Sequence, residues 1–137
     1  MSTTVKDVMT SSPTSIPSDE PVVEAARRMQ SEDVGSLPVV AADQLVGMIT
    51  DRDIVLQVVA KDLDPNKVSV GEVASERPVT ADPNESLDAA LQRMAKEQVR
   101  RLPVVTDGRL VGILAQADVA RTAAAESTGR LVEEISE

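Results

Sequence analysis

The chain contains one stretch of strand-like and turn-like residues that occurs twice. Residues 37–53 read LPVVAADQLVGMITDRD, and residues 102–118 read LPVVTDGRLVGILAQAD. The two copies are displaced by 65 positions without an insertion, and the longer ranges 7–55 and 72–120 share 16 identities in 49 aligned pairs. Repeats of this kind are supersecondary units that each bury an apolar face by packing against a neighbour. We therefore expect two pseudo-symmetric halves that pack together.

The order of apolar and turn residues predicts the same elements in both copies. An apolar run from Leu37 is followed by a turn, by a second apolar run that Gly47 interrupts, and by a helix that starts near Thr50. An amphipathic helix with the i, i+3, i+4, i+7 spacing precedes these elements in each copy. The expected buried positions of the two amphipathic helices are Val22, Ala25, Ala26 and Met29, and Leu87, Ala90, Leu91 and Met94.

Cap residues and prolines indicate where the helices and segments begin and end. Ser18 or Asp19 is expected to be the N-cap of the first amphipathic helix, and Asn84 that of the second. The helix that starts near Thr50 is expected to end at about Ala60, and a linker follows it. The predicted segments are residues 1–67 as the first repeat with the linker, 68–125 as the second repeat, and 126–137 as an acidic C-terminal tail.

Composition excludes several classes of site. The 137 residues include no His, Cys or aromatic residue, so the chain has no disulfide, no thiolate nucleophile and neither of the usual zinc ligands. The formal net charge of −9 argues against binding to nucleic acid or to an anionic membrane, because both need a positive surface. No apolar run approaches the roughly 18–20 residues that span a bilayer, and no signal-peptide core is found. We expect a cytoplasmic protein.

The repeated motifs resemble those of the CBS domain. Each copy has an LPVV strand and an LVG strand, and the first copy continues with a helix start of the form G-x-x-T-x-x-D. Two such repeats are similar to the tandem CBS pair that is called a Bateman module. The resemblance covers about Val5 to Ala124 and is strongest to stand-alone two-repeat bacterial proteins of the hypoxic-response type. It implies an α/β (α+β) fold of two pseudo-symmetric β-α-β-β-α repeats packed as a pair.

The resemblance also implies a sensing function without catalysis. CBS pairs commonly bind AMP, ADP, ATP or a related adenosyl compound in the cleft between repeats. Two pairs commonly associate into a disc of four repeats, which implies a homodimer and a regulated partner protein that the sequence does not identify. No cofactor is implied, and Mg²⁺ enters only as the counter-ion of a nucleotide such as ATP.

The family's ribose and phosphate motif falls on Gly47, Thr50 and Asp53 in the first repeat. An aspartate carboxylate can accept both hydroxyls of a ribose, and a threonine hydroxyl at a helix N-terminus can meet a phosphate. Arg52 adds a positive charge beside them. The resemblance implies that the adenine lies against two strands. The residues assigned to this contact are Thr14, Ile16, Leu37, Pro38 and Val39.

The second repeat departs from this motif. Gly112 and Asp118 are retained, but Ala115 replaces the threonine and no cation adjoins the aspartate. Phosphate binding is expected to be weaker there unless Arg100 or Arg101 supplies a charge across the cleft. We therefore expect the first repeat to hold the stronger site.

Each of these residues also has a structural interpretation. Thr50 and Asp53 can form a helix capping box, and the two glycines can serve close strand packing. Asp51 and Asp53 can in principle hold Mg²⁺, although a surface helix start rich in aspartate is the commoner explanation. Two other functions stay open. One is a nucleotide-independent dimeric scaffold, and the other is an enzyme, for which the sequence offers no nucleophile paired with a base.

Overall fold

The computed structural model describes residues 3–120 as short helices and two β-sheets, so the predicted C-terminal tail lies outside the described residues. The elements in chain order are α1 Val5–Val8, β1 Thr10–Ser11, β2 Ile16–Pro17, α2 Val22–Glu32, β3 Ser36–Ala41, β4 Gln44–Thr50, α3 Asp51–Ile54, a π-helical turn Val55–Val59, α4 Val70–Val73, β5 Ser75–Glu76, α5 Leu87–Glu97, β6 Arg101–Thr106 and β7 Arg109–Ala115. Residues 116–120 are helical.

The two sheets carry the repeated strands. One sheet has the order β2-β3-β4-β5, and the other has the order β1-β7-β6. In the first sheet Ile16 pairs with Val39 in a parallel register, and Val39 pairs with Gly47 in an antiparallel one. A parallel bridge between Ala81 and Val104 repeats the first of these pairings at the equivalent positions of the second repeat. The predicted mixed fold of two repeats is therefore confirmed.

The described chain forms two compact units that exchange their first helix. The first-repeat unit contains residues 12–78 and 107–110, and the second-repeat unit contains residues 3–11, 79–106 and 111–120. Helix α4 packs in the first-repeat unit, where Val70 N donates to Glu20 O at 2.8 Å. Helix α1 takes the equivalent place in the second-repeat unit, where Val5 N donates to Glu85 O at 3.1 Å. The predicted boundary after residue 67 follows the sequence repeat, whereas the compact units follow the exchanged helices.

Each unit has a central cluster of buried apolar residues, and the two clusters correspond position by position. The first-repeat cluster is Ile16, Ala25, Met29, Leu37, Val39, Ile49 and Val70. The second-repeat cluster is Ala81, Ala90, Met94, Leu102, Val104, Leu114 and Val5. The offset between the two sequence copies relates each member of one cluster to a member of the other, and the exchanged helices supply the last member of each. Helix exchange therefore completes both cores.

The amphipathic helices are confirmed, but their predicted caps were wrong. Helix α2 starts after Pro21. The preceding backbone forms hydrogen bonds with α4 instead, since Ser18 O accepts from Gly71 N at 2.8 Å. Helix α5 starts after Ser86, whose Oγ accepts from Ala89 N at 3.2 Å. Asn84 lies earlier, in a turn where its N–H donates to Asp82 Oδ1 at 2.8 Å. Tertiary hydrogen bonds and a local turn therefore displace both starts along the chain.

The burial of these helices follows the predicted face with three exceptions. Val22, Ala25 and Met29 are buried in α2, and so are Ala90 and Met94 in α5. The exceptions are Ala26, which is exposed, and Leu87 and Leu91, which are half-buried. Both helices have eleven residues, about half of what a membrane-spanning helix needs, and no helix within residues 3–120 is long and apolar enough to cross a membrane.

Candidate ligand-binding site

A reciprocal capping box closes the start of α3 at the end of β4. Asp53 N donates to Thr50 Oγ1 at 3.0 Å, and Thr50 N donates to Asp53 Oδ2 at 2.9 Å. These bonds satisfy backbone donors at the helix start and fix both side chains. Both residues are half-buried. The structural interpretation of this motif is therefore confirmed, and its contact with a ligand stays a prediction.

The capping box leaves part of the hydrogen-bonding capacity of both side chains unused. Within residues 3–120, no hydrogen bond reaches Oδ1 of Asp53, and the hydroxyl of Thr50 serves only as an acceptor. A carboxylate oxygen held in place can accept from a ribose hydroxyl, and a hydroxyl can donate to a phosphate oxygen. Capping and ligand binding are therefore compatible at this helix start.

Charge at the helix start is mixed. Asp51 and Arg52 are exposed, and Arg52 N donates to Asp51 Oδ1 at 2.8 Å. The ion pairs found in the described part of the chain do not include Arg52, so its guanidinium is available to solvent. With Asp53, the site carries two carboxylates and one guanidinium. The helix start therefore offers more hydrogen-bond acceptors for hydroxyl groups than cations for phosphates.

Gly35 is a neighbour of the site that the sequence analysis missed. Its carbonyl accepts from Asp51 N at 2.9 Å, so the residue before β3 lies against the helix start. In the second repeat Arg100 stands at the equivalent position, and its carbonyl accepts from Gln116 N at 2.9 Å. Arg100 is exposed, and its backbone belongs to the helix start of its own repeat. The two sequence copies align Gly35 with Arg100, but these residue types differ and give no signal for the contact.

The residues assigned to the adenine contact lie mainly in the core of the first-repeat unit. Ile16, Leu37 and Val39 are at most 1% exposed, and Pro38 is also buried. The structure brings Ile16 and Val39 together with Gly47 across three adjacent strands, but their side chains pack inward. Their contact with an adenine stays a prediction, because Ile16, Leu37 and Val39 have almost no exposed surface and β3 pairs with a strand on each side. Thr14 is exposed and precedes β2.

The two repeat glycines lie where a neighbouring strand approaches closely. A Cβ atom at Gly47 would lie 2.6 Å from Ser75 O on β5. A Cβ atom at Gly112 would lie 2.5 Å from Met9 Sδ and 3.0 Å from Thr10 O. The structure therefore supports the strand-packing interpretation of both glycines, and their role in ligand binding is untested.

The second repeat has a different set of contacts at its helix start. Ala115 ends β7 and has no hydroxyl, so the threonine half of the capping box is missing. Asp118 is half-buried, and its Oδ2 accepts from Thr10 Oγ1 at 3.4 Å. Arg101 is half-buried at the start of β6. These contacts agree with the expectation that the second site differs from the first.

In each repeat, an arginine of the long helix (α2 or α5) donates a hydrogen bond to the backbone of the segment that precedes that helix. Arg28 Nη1 donates to Ser15 O at 2.6 Å, and Arg93 Nη1 donates to Thr80 O at 2.9 Å. In the second-repeat unit Arg93 also pairs with Glu85 at 2.9 Å beside an open depression of about 310 Å³. The residues lining it are Thr80, Ala81, Asp82, Glu85, Arg93 and Val105. These arginines were not predicted from the sequence, although they stand at equivalent positions of the two copies.

Metal coordination has little support in the described part of the chain. Residues 3–120 contain no group of three or more His, Cys, Asp or Glu side chains placed to hold a metal ion. The whole sequence has no His and no Cys. Asp51 and Asp53 could supply at most two carboxylates, so a Mg²⁺ ion there would depend on water or a bound phosphate for its other ligands.

Comparison with known protein families identifies both repeats. The family sequence model of the CBS domain matches residues 5–60 and 70–125. The chain belongs to the CBS-domain family. Hypoxic response protein 1 of Mycobacterium tuberculosis is 42% identical over 120 residues, which cover 87% of this chain and 84% of that protein. CBS domain-containing protein YhcV of Bacillus subtilis is 42% identical over 133 residues, which cover 96% of this chain and 94% of that protein. The predicted tandem CBS protein of the hypoxic-response type is confirmed.

Solved CBS structures share this fold and differ in what they bind. The crystal structure of Hypoxic Response Protein I, with two coordinated zinc ions, has a TM-score of 0.80 and 42% identity and covers 87% of this chain and 98% of that chain. The CBS domain pair of protein MJ0100, in complex with 5′-methylthioadenosine and S-adenosyl-L-methionine, has a TM-score of 0.79 and 30% identity over 92% of this chain and 99% of that chain. CBS pairs of this kind therefore include a binder of adenosyl ligands.

Proposed function

We propose that this CBS-domain protein is a non-catalytic regulatory module that senses an adenosine-containing ligand through its first repeat. The observation that carries the proposal is the capping box at α3, which fixes Thr50 and Asp53 and leaves Asp53 Oδ1 without a hydrogen bond within residues 3–120. Asp53 accepts from the ribose hydroxyls, and Thr50 with Arg52 meets the first phosphate. The adenosyl ligands of the MJ0100 pair support this ligand class.

The charges at the helix start favour a ligand with few phosphates. Two carboxylates and one guanidinium stand at residues 51–53, so each further phosphate adds repulsion. AMP is therefore the preferred candidate, and ATP binds better when Mg²⁺ neutralises part of its charge. The ligand can regulate partner binding only if it stabilises one arrangement of the protein more than another. Equal affinity for both arrangements would not shift the equilibrium between them.

In our proposal the regulatory module is a homodimer, so the assembly contains four repeats. Ligand occupancy changes how this assembly binds a regulated protein, whose identity the site chemistry does not indicate. The cytoplasmic location that the sequence predicts remains part of the proposal. A nucleotide-independent scaffold is the second candidate, and one observation favours it: Thr50 Oγ1 and Asp53 Oδ2 already have structural partners in the capping box.

Isothermal titration calorimetry tests the proposal directly, because a chain without Trp or Tyr gives little intrinsic fluorescence. The panel contains AMP, ADP, ATP, NAD and S-adenosylmethionine, each with and without Mg²⁺. We expect AMP to bind at one strong site per chain. Added Mg²⁺ should improve the affinity for ATP and leave that for AMP unchanged. Absence of heat from every ligand at millimolar concentration would support the scaffold instead.

A further inference from the structure

A hydroxyl of the N-terminal segment contacts the aspartate at the helix start of the second repeat. Thr10 Oγ1 donates to Asp118 Oδ2 at 3.4 Å, although the two residues are 108 positions apart in the sequence. Asp118 stands where Asp53 stands in the first repeat. A hydroxyl that donates to this carboxylate makes the same contact that a ribose hydroxyl makes with Asp53 in the proposed function. Thr10 therefore presents to the second repeat the group that the ligand presents to the first.

The fold holds this hydroxyl in place independently of the aspartate. Strand β1 pairs antiparallel with β7, and Thr10 lies opposite Ile113. Helix α1 anchors the strand, because Val5 is fully buried in the core cluster of the second-repeat unit. Thr10 is exposed, and its β-branched side chain has few rotamers. The hydrogen bond to Asp118 is long, but the segment that supplies it cannot move away without losing its strand pairing.

The first repeat has an equivalent hydroxyl that does not reach its aspartate. Strand β5 pairs with β4 as β1 pairs with β7, and Ser75 stands at the position of Thr10. Within residues 3–120, Ser75 makes no hydrogen bond with Asp53, and no hydrogen bond reaches Asp53 Oδ1. The backbone N–H of Thr50 donates to Oδ2. The two repeats therefore differ in whether a neighbouring side chain already donates to the predicted ribose acceptor.

We propose that Thr10 is a specificity-determining residue, which occupies the aspartate of the second repeat and so directs the ligand to the first repeat. This inference rests on the proposed function and deepens it, because it assigns a cause to the difference between the two sites. A ligand that binds at Asp118 must displace the Thr10 hydroxyl before its ribose can donate to Oδ2. Exchange of one hydrogen bond for another gains less than formation of a new one. Ala115 thus weakens the phosphate contact, and Thr10 weakens the ribose contact.

Thr10→Val tests this inference, because valine keeps the β-branched shape and removes the hydroxyl. We expect AMP to bind the second repeat of this variant about threefold more tightly, a factor that corresponds to one hydrogen bond of modest strength. An amide NMR titration measures the effect. The AMP concentration that gives half of the shift at residues 115–118 should fall by this factor, and that for residues 50–53 should stay unchanged. Thr10→Ser retains the hydroxyl and should titrate as the natural protein does.

Ser75→Ala is the matched control in the other repeat. It removes the equivalent hydroxyl, which makes no hydrogen bond with Asp53 in the described part of the chain. Both titrations should therefore stay as they are in the natural protein.

The outcomes separate this inference from the proposed function. An unchanged titration of residues 115–118 in Thr10→Val, beside a normal response of residues 50–53, would overturn this inference and retain the proposed function. Weaker binding at residues 115–118 would also overturn it, because Thr10 would then assist the ligand instead of competing with it. If residues 50–53 of the natural protein do not respond to millimolar AMP, both the inference and the proposed function are wrong.

Discussion

Asp53→Ala is expected to bind AMP about thirtyfold more weakly than the natural protein. The substitution removes the carboxylate that accepts from the ribose in our proposal. A charge-assisted hydrogen-bond pair of this kind contributes on the order of 2 kcal/mol, which corresponds to that change in dissociation constant. Because Asp53 Oδ2 also accepts from Thr50 N at 2.9 Å, the variant will lose some stability as well. Calorimetric titration of AMP measures the affinity, and circular dichroism confirms that the variant is folded.

A second capping residue in the same unit separates the two effects. Glu72 Oε2 accepts from Ser69 N at 2.9 Å, which is the same backbone bond at the start of α4. Glu72→Ala should therefore cost stability as Asp53→Ala does, about 1 kcal/mol, and leave the affinity for AMP unchanged. Equal affinities for AMP in Asp53→Ala and the natural protein would exclude Asp53 from the ligand site. Equal losses in both variants would show that the loss reflects stability alone.

Gly47→Ala is expected to destabilise the protein by about 1–3 kcal/mol, which is the usual range for an overpacked site. The added Cβ atom would lie 2.6 Å from Ser75 O, and the obstacle is backbone that cannot rotate away. Strand β5 must therefore move from β4, where Gly47 pairs with Glu76 and Met48 pairs with Ser75. Thermal unfolding followed by circular dichroism should show a midpoint lower by several degrees.

Gly35→Ala is the matched control for this effect. Its Cβ atom would lie 3.1 Å from Asp51 Oδ2, the end of an exposed side chain that can move. We expect a change in unfolding midpoint of about one degree or less for Gly35→Ala. If Gly47→Ala unfolds at the same temperature as the natural protein, β5 does not pack on β4 as the structure has it.

The strands and long helices could be predicted from the sequence because the repeat supplies two independent copies of each pattern. The apolar runs around Leu37 and Leu102 became β3 and β6, and both leucines are buried. The spacing of Met29 and Met94 within their helices identified two core faces. Local patterns were sufficient here because burial of these residues depends on the period of the element that carries them.

The features that sequence reasoning missed depend on contacts between distant segments. The predicted N-caps at Ser18, Asp19 and Asn84 were wrong: tertiary hydrogen bonds engage the backbone of Ser18 and Glu20, and Asn84 lies in a local turn. The exchange of α1 and α4 could not be predicted, since two similar helix sequences can pack on either repeat. No local sequence pattern predicts the π-helical turn Val55–Val59 either. The hydrogen bond that defines it, from Ala60 N to Val55 O, is 2.8 Å long.

The candidate site was predicted in part. The capping box at Thr50 and Asp53 follows from residue spacing alone, and the structure contains it. The position of Gly35 beside the helix start depends on how β3 enters the sheet, so no local pattern indicated it. Inward packing of Leu37 and Val39 likewise follows from the sheet's register, so no local pattern indicated how little of their surface is exposed.

Amide NMR spectroscopy of the natural protein during a titration with AMP tests the central claim most directly. We predict that the amides of residues 50–53 shift first, in proportion to occupancy of one strong site, and that those of residues 115–118 shift only at higher ligand concentration. No shift at millimolar AMP, or first shifts at residues 115–118, would contradict a ligand site in the first repeat.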